Sequence, residues 1–422
     1  MALSGTQIAG NVDTRTGAAR TFALLGIAIL LCSYVINAMD RQLFPLILPE
    51  VRREYGFSLP EAGLMSTVFT LGMALAGLPT GYLMSRYARK SVAQIGIFLF
   101  SAATIVTVFA AGFTDMLLTR AFTGIGEAMQ LTAMLAILSS YFARHRATAI
   151  GAVNFTFGVG AVLGPLLGAA ILSAYGTWRA PMIAFGLIGF VLMALVQAFV
   201  RRSVSEVGLA GGMQRATVIG GAKTLRNRNT FLLVILSCIA GLVLYGFLGM
   251  YPTFLREELQ FTPADTGTVM SIFGLGALAS IGGGFLGDRF PMRPVLVVSF
   301  LIAALVGWLL FNGPATFAAQ APLAFAWGVV APGSLFVNIA AYHVKAVSGE
   351  LAGRASGVFV TSFYTAASIA GYMIGWLAAN FGWTIAGDVQ LCAICLVAIL
   401  FVLALKPDQM ARPMATPPFT LS

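Results

Sequence analysis

Charge is what this sequence has least of. Only 9% of its 422 residues are Asp, Glu, Lys or Arg, and histidine occurs twice. A soluble globular chain carries about 25% charged residues, so a surface wetted on all sides is excluded. Cysteine is scarce as well: Cys32, Cys238, Cys392 and Cys395, each inside an apolar run. Cys392 and Cys395 form a CxxC with no His or acidic ligand nearby, and read as small packing residues rather than a metal or redox site. No Walker motif occurs, and GIGEA at 124–128 is not a phosphate-binding fingerprint following a strand. Nothing resembles a catalytic triad or a metal cluster, so no enzyme, no metal and no cofactor is expected.

What the chain does have is apolar length. Hydrophobic residues make up 59% of it and the mean hydropathy is +0.89. Runs of roughly 20 apolar residues recur, enough to cross about 30 Å of hydrocarbon as helices. They do not alternate apolar and polar residues, which sets aside a β-barrel. The fold class predicted is an all-α membrane protein of twelve transmembrane helices. The spans fall near 21–49, 59–85, 91–112, 116–142, 147–175, 180–200, 230–255, 263–286, 294–312, 319–345, 354–380 and 384–405. No cleavage site follows the first run, so it is read as a retained helix. A Gly-rich, basic stretch at 201–229 splits the spans six and six. The organisation expected is a tail (1–20), a bundle (21–200), a linker with a short surface helix (201–229), a second bundle (230–405) and a tail (406–422).

Basic residues set the orientation. With both termini cytoplasmic, nineteen of the 25 Lys and Arg fall in inside segments, and only Arg52, Arg53, Arg179 and Arg256 fall outside. The net charge of +10 follows from this placement and does not point to nucleic acid. A multi-pass protein of a bacterial inner membrane, working as a monomer in the lipid bilayer, is expected.

The two halves read as copies. REYGFSLPEAG (53–63) parallels REELQFTPADTG (256–267), LGMALA (71–76) parallels LGALAS (275–280), and GYLMSRYARK (81–90) parallels GFLGDRFPMR (284–293). A duplicated six-helix unit predicts two pseudo-symmetric bundles around a central cavity near the midplane.

Two charges, Asp40 and Arg41, sit side by side within the first apolar run, and Arg120 and Glu127 sit within the fourth. A charge inside a membrane is costly and marks a functional site by default. Arg120 and Glu127 are seven residues apart, close to two helical turns, and share a face. Asn37 and Arg41 share a face of the first span, with Tyr34 one turn below. The alternative is a structural ion pair that only fixes packing; for Arg120, near a span end, it is snorkelling.

These residues carry a family resemblance. The six-plus-six layout, the repeated G-x-x-x-D-R-x-x-x-R/K loop and the basic linker resemble the major facilitator superfamily, from Thr21 to Leu405. The loop between spans 8 and 9 fits through Gly284, Asp288, Arg289 and Arg293. The loop between spans 2 and 3 fits through Gly81, Arg86, Arg89 and Lys90, but Ser85 stands where the family has Asp. The resemblance gives that Asp a part in a cytoplasmic charge clamp, so Ser85 leaves the clamp's strength open. Arg120, Gly124 and Gly126 match the family's R-x-x-x-G-x-G, and GVGAVLGPLLGA (158–169) is similar to its G-x-x-x-G-P-x-x-G. N-x-x-D-R (Asn37, Asp40, Arg41) with G-x-G-E-A (Gly124, Gly126, Glu127, Ala128) looks like the anion:cation symporter family. It is also similar to the spinster-like branch. Ala38 replaces a common Tyr and Met73 another, which favours a less hydroxylated substrate than a sugar acid.

The resemblance implies that spans 1 and 4 line the cavity. The expectation is proton-coupled symport of a small organic anion by alternating access. Asp40 and Glu127 take protons, Asp40 pairs with Arg41 or Arg120 when empty, and Arg41 holds the substrate carboxylate. Arg120, Asn37, Tyr34, Asn154, Tyr245 and Asn338 are the further contacts, and Met39, Phe44, Met73, Phe155 and Phe336 its apolar walls. Tyr342, His343, Ser362 and Tyr364 are polar residues of the same kind, open to either site or interhelical roles. Gly160, Gly164 and Gly168 read as close helix packing, with Pro165 as a kink; His145 reads as solvated in a basic loop. Two alternatives stay open: a spinster-like lysolipid transporter or antiport exporter of amphipathic compounds, and a receptor or scaffold that does not transport.

Overall fold

The computed structural model describes residues 5–142, 146–206 and 218–413. Arg144, His145, linker residues 207–217 and tail residues 414–422 lie outside the described residues. Among those described, twelve helices are long and apolar enough to cross a membrane. They are α1 (Thr21–Tyr55), α2 (Leu59–Gly77), α3 (Arg89–Thr107), α4 (Phe113–Tyr141), α5 (Gly151–Tyr175), α6 (Arg179–Phe199), α7 (Arg228–Glu257), α8 (Pro263–Arg289), α9 (Met292–Asn312), α10 (Phe317–Lys345), α11 (Gly349–Phe381) and α12 (Trp383–Ala404). The chain is an integral multi-pass membrane protein built as two pseudo-symmetric six-helix bundles. The even number of spans puts both chain ends on one face, here the terminal face; the other is the far face.

The sequence repeat becomes a repeated corner. Ser58 caps α2 and Thr262 caps α8, each accepting from a backbone N–H three residues on, which satisfies one of the orphan donors of a helix start. The helices before them end in left-handed backbone at equivalent positions, Gly56 (φ 70°) and Gln260 (φ 57°).

Three boundaries differ from the sequence reading. The first helix runs unbroken past Pro45 and Pro49 to Tyr55, because packed neighbours absorb the missing proline donors. The second breaks at Val68 into Leu59–Thr67 and Phe69–Arg86. The tenth carries a π-helical stretch, Ala331–Phe336, beside Pro332; such widened turns recur at functional sites and leave little trace in periodicity. Pro165 does not break its helix.

Glycines set how close the helices come. Those at 160, 164 and 168 admit Ala38, Met39 and Leu43 of α1 onto α5, as their spacing predicts. Gly124 and Gly126 of α4 lie against Phe69 and Gly96 backbone. Between bundles, α2 packs on α11, α5 on α8 and α1 on α7. In the far half this packing is tight: Gly63 abuts Gly371, and Gly375 abuts Leu59. In the terminal half, Gly77 and Gly81 of the second helix and Gly353 and Gly357 of α11 have open space where a Cβ would point. Beyond the membrane on that face, Val218–Ile219 (β1) of the linker pairs antiparallel with Arg412–Pro413 (β2) of the tail. Among the described linker residues, Arg202–Ser205 forms a single helical turn.

Candidate functional site

The four charges of α1 and α4 meet near the middle of the molecule. All are buried: Asp40 is 1% exposed, Arg41 5%, Arg120 0% and Glu127 0%. Neighbours on a helix point about 100° apart, so Asp40 and Arg41 reach different partners. Arg41 Nε lies 2.9 Å from Glu127 Oε2. Asp40 Oδ2 lies 3.6 Å from Arg120 Nη1, and its Oδ1 accepts from the Thr104 hydroxyl of α3 at 3.0 Å. Of the two partners expected for Asp40, the structure selects Arg120. It also buries Arg120 fully, over the rings of Phe44 (4.6 Å) and Phe69 (5.5 Å), so this arginine does not snorkel.

The pairs are close but sparsely hydrogen-bonded. Arg41 Nη2, all three Arg120 nitrogens and both Glu127 carboxylate oxygens have no protein hydrogen-bond partner. Leaving buried charged groups so costs free energy, and the cluster keeps donors and acceptors in hand for a ligand or a proton. Burial favours neutral forms, and neighbouring charges of opposite sign favour ionised ones.

A polar ladder holds α1 against α4. Asn37 donates to Gln130 Oε1 (2.8 Å) and to the Glu127 carbonyl (3.3 Å); Gln130 donates to Ser33 (2.9 Å), which donates to the Leu30 carbonyl (2.7 Å). Asn37 therefore positions the helix that carries Glu127. Ser33, Thr104 and Gln130 were not singled out in the sequence; a hydroxyl or amide in an apolar run is too common a signal.

Aromatic rings wall the other side of Arg41. Its guanidinium carbon is 6.0 Å from the Tyr34 ring and 5.7 Å from that of Phe157. Tyr245 stands 6.1 Å from Tyr364 and 5.9 Å from Phe69, and the Tyr364 phenol faces both Tyr245 and Arg41. A cavity of about 20 Å³, bordered by Arg41, Phe69, Phe157 and Tyr245, opens there. That is room for about one water, so the site is contracted in this conformation. Tyr34 and Tyr245 stand around Arg41 together with Tyr364 and Phe157.

Other expected contacts fall elsewhere. Asn338 is buried between α8 and α10, donating to the carbonyls of Gly283 (3.0 Å) and Ser334 (2.9 Å); it is an interhelical tie rather than a neighbour of Arg41. His343 is buried with Nε2 2.9 Å from the Ser237 hydroxyl. Asn154 is exposed on α5. In the loops, Asp288 pairs with Lys345 (3.0 Å), Arg293 with the Leu405 carbonyl, Arg89 with Ser140 (2.7 Å), and Arg289 and Arg86 lie over Phe285 and Tyr82. Ser85 donates to the Tyr82 carbonyl at 2.7 Å, a local bond within its own turn. Gly284 lies 3.6 Å from Val337 by its would-be Cβ.

A second set of charges joins the bundles at the far face. Arg52 of α1 lies 2.5 Å from Glu257 of α7, and Arg256 of α7 lies 2.5 Å from Glu50 of α1. Sequence reading counted these arginines as outside loop charges. The signal was present: two arginines 204 positions apart in a repeat, each near an acid.

A sequence model of the Major Facilitator Superfamily matches residues 30–371 and 248–420. Among curated relatives, a probable chloroplastic anion transporter 4 of Oryza sativa subsp. japonica is 28% identical over 68% of this chain and 51% of its own length. Protein spinster of Drosophila melanogaster is 25% identical over 74% of this chain and 56% of its own length. The probable L-galactonate transporter of Escherichia coli (strain K12) is 25% identical over 65% of this chain and 63% of its own length. The chain thus spans between about half and two thirds of these relatives. Among solved structures, a bacterial homologue of the human lysosomal transporter spinster, inward-facing and occupied, superposes with a TM-score of 0.72 at 16% identity, over 90% of this chain and 94% of that one.

Proposed function

The chain belongs to the Major Facilitator Superfamily, and we propose from its central cluster that it carries a small organic carboxylate across the membrane together with protons. The observation that carries this reading is the contact between Arg41 and Glu127 beside the aromatic cavity. Arginine offers a planar fork that grips a carboxylate and does not deprotonate. Glu127 lies against one edge of that fork, at Nε, and Nη2 is left without a partner.

Charge balance supplies the coupling. Asp40, Arg41, Arg120 and Glu127 sum to zero when ionised. A substrate carboxylate makes the sum −1, which a buried site resists. A proton on Glu127 frees Arg41 and restores zero. Substrate and proton therefore favour each other's binding, and the effect is reciprocal. Asp40, held by Arg120 and Thr104, is the second acid. The walls of Tyr34, Phe157, Tyr245 and Tyr364 suit an anion with an apolar or aromatic body. Names of relatives agree in class: anion, L-galactonate and cis,cis-muconate transporters are among them.

Exchange in proteoliposomes at varied pH tests the reading. Proton coupling that survives in both Asp40→Asn and Glu127→Gln sinks it. Exchange of lysolipids, indifferent to Arg41→Ala, moves the assignment to the spinster-like branch.

A further inference from the structure

The two far-face ion pairs border a cavity of about 450 Å³, lined by Arg52, Arg53, Phe57, Arg256, Glu257 and Gln260. This is a separate space from the one at Arg41, about two to three helical turns away along α1. Its charge is lopsided. Arg52, Arg53 and Arg256 face only Glu50 and Glu257, which leaves one positive charge in excess. Arg53 is exposed and has no ionic partner among the described residues. Nearby Glu54 is engaged by Arg179 (2.6 Å) and by the Trp178 indole (2.7 Å). Glu258 is exposed and does not line the cavity. Arg256 Nη1 and Arg52 Nε are buried without hydrogen-bond partners, so each crossing arginine has a donor to offer.

The backbone of the same cavity is strained. Gln260 is the non-glycine residue with positive φ among those described, and its symmetry mate at 56 is glycine. Such a conformation costs roughly 1–3 kcal/mol and gathers at functional and switching sites.

We propose that this cavity is a second anion site, which receives the carboxylate of incoming cargo and competes with Glu50 and Glu257 for the two crossing arginines. The pairs tie α1 to α7. A carboxylate that takes over one arginine replaces an ion pair between bundles with one inside a ligand complex, and the tie is released. The excess positive charge makes the anion-bound cluster neutral. Cargo thus unlocks the face through which it enters, before it reaches Arg41. The inference rests on the carboxylate reading of the cargo but not on binding at Arg41.

The test uses the full chain with its native cysteines replaced and spin labels at Ala111→Cys and Ala315→Cys, exposed loop positions on the far ends of the two bundles. Their separation is measured with sodium benzoate, and with sodium chloride at equal ionic strength. Benzoate is expected to widen the distance in the parent and in Arg41→Ala. In Arg53→Gln the half-saturating benzoate concentration rises about tenfold or more, as for loss of a charged hydrogen bond. The pair Glu50→Gln with Glu257→Gln is expected to populate the wide distance without benzoate. Equal widening by chloride reduces the effect to screening and overturns the site. Widening lost in Arg41→Ala but kept in Arg53→Gln overturns it too, by assigning release to the central site. No widening in any variant overturns the latch. A failure of the carboxylate reading itself looks different: widening persists while benzoate exchange is absent.

Discussion

The backbones of Gly63 and Gly371 touch across the two bundles: a Cβ built on either lies 2.0 Å from the carbonyl oxygen of the other. No side-chain rotation relieves such a clash, since both partners are backbone. Gly63→Ala is therefore expected to force the far halves of α2 and α11 apart. The far-face label distance widens without ligand, and stability falls by about 1–3 kcal/mol, as for other overpacked sites. Gly77→Ala, on the same helix facing open space, leaves both unchanged. Thermal melts and label distances of the two variants check this.

Asn338 separates a packing role from a substrate role. Its amide ties α10 to α8 through the Gly283 carbonyl and bonds the Ser334 carbonyl of its own helix. Asn338→Leu is expected to lower stability by about 1–3 kcal/mol through the lost buried hydrogen bonds, while the KM for exchange stays within about twofold. A large KM change with an unaltered melt restores it to the substrate site.

Thr104 has one visible task, donating to Asp40 at 3.0 Å. Thr104→Val keeps the shape and removes the donor. A shift in the pH profile of exchange is expected, with Thr104→Ser restoring it. An unchanged profile in Thr104→Val means that Asp40 does not titrate in the cycle.

Arg41→Lys is not conservative if the guanidinium grips the cargo carboxylate through its fork, as proposed. Exchange is expected to drop about tenfold or more, the loss of one charged hydrogen bond, without a change in the melt. Wild-type rates in this variant remove the bidentate grip from the mechanism.

Much of this was legible in the sequence, for a physical reason. Water is absent from the hydrocarbon, so Asp40, Arg41, Arg120 and Glu127 stood out at once, and the glycine spacing on α5 announced close packing, with α1 as the partner shown by the fold. Pairing was harder. Asp40 and Arg41 are adjacent in the chain but diverge on the helix, and their partners depend on the rotation of α4. Asn338 looked like a site residue because depth alone does not tell which face of a helix meets the cavity. Phe157 was hidden among many aromatics, and Tyr364 was noticed only as a polar residue open to a site or an interhelical role. The far-face ties escaped because charges at span ends are ordinary: the repeat placed Arg52 and Arg256 at matching positions near acids, and the fold shows that each pairs with the other bundle's acid. The break at Val68 and the π stretch of α10 leave no periodic signal.

The most direct test of the central claim is carboxylate binding to the purified protein by calorimetry at pH about 5.5 and 7.5. The claim is that Arg41 becomes available when Glu127 takes a proton. Wild-type affinity is then expected to be higher at the lower pH, by up to about tenfold per pH unit for one proton. Glu127→Gln, neutral at both, binds with equal strength at both; Arg41→Ala binds at neither. Binding that stays pH-dependent in both Glu127→Gln and Asp40→Asn, or that persists in Arg41→Ala, contradicts the claim.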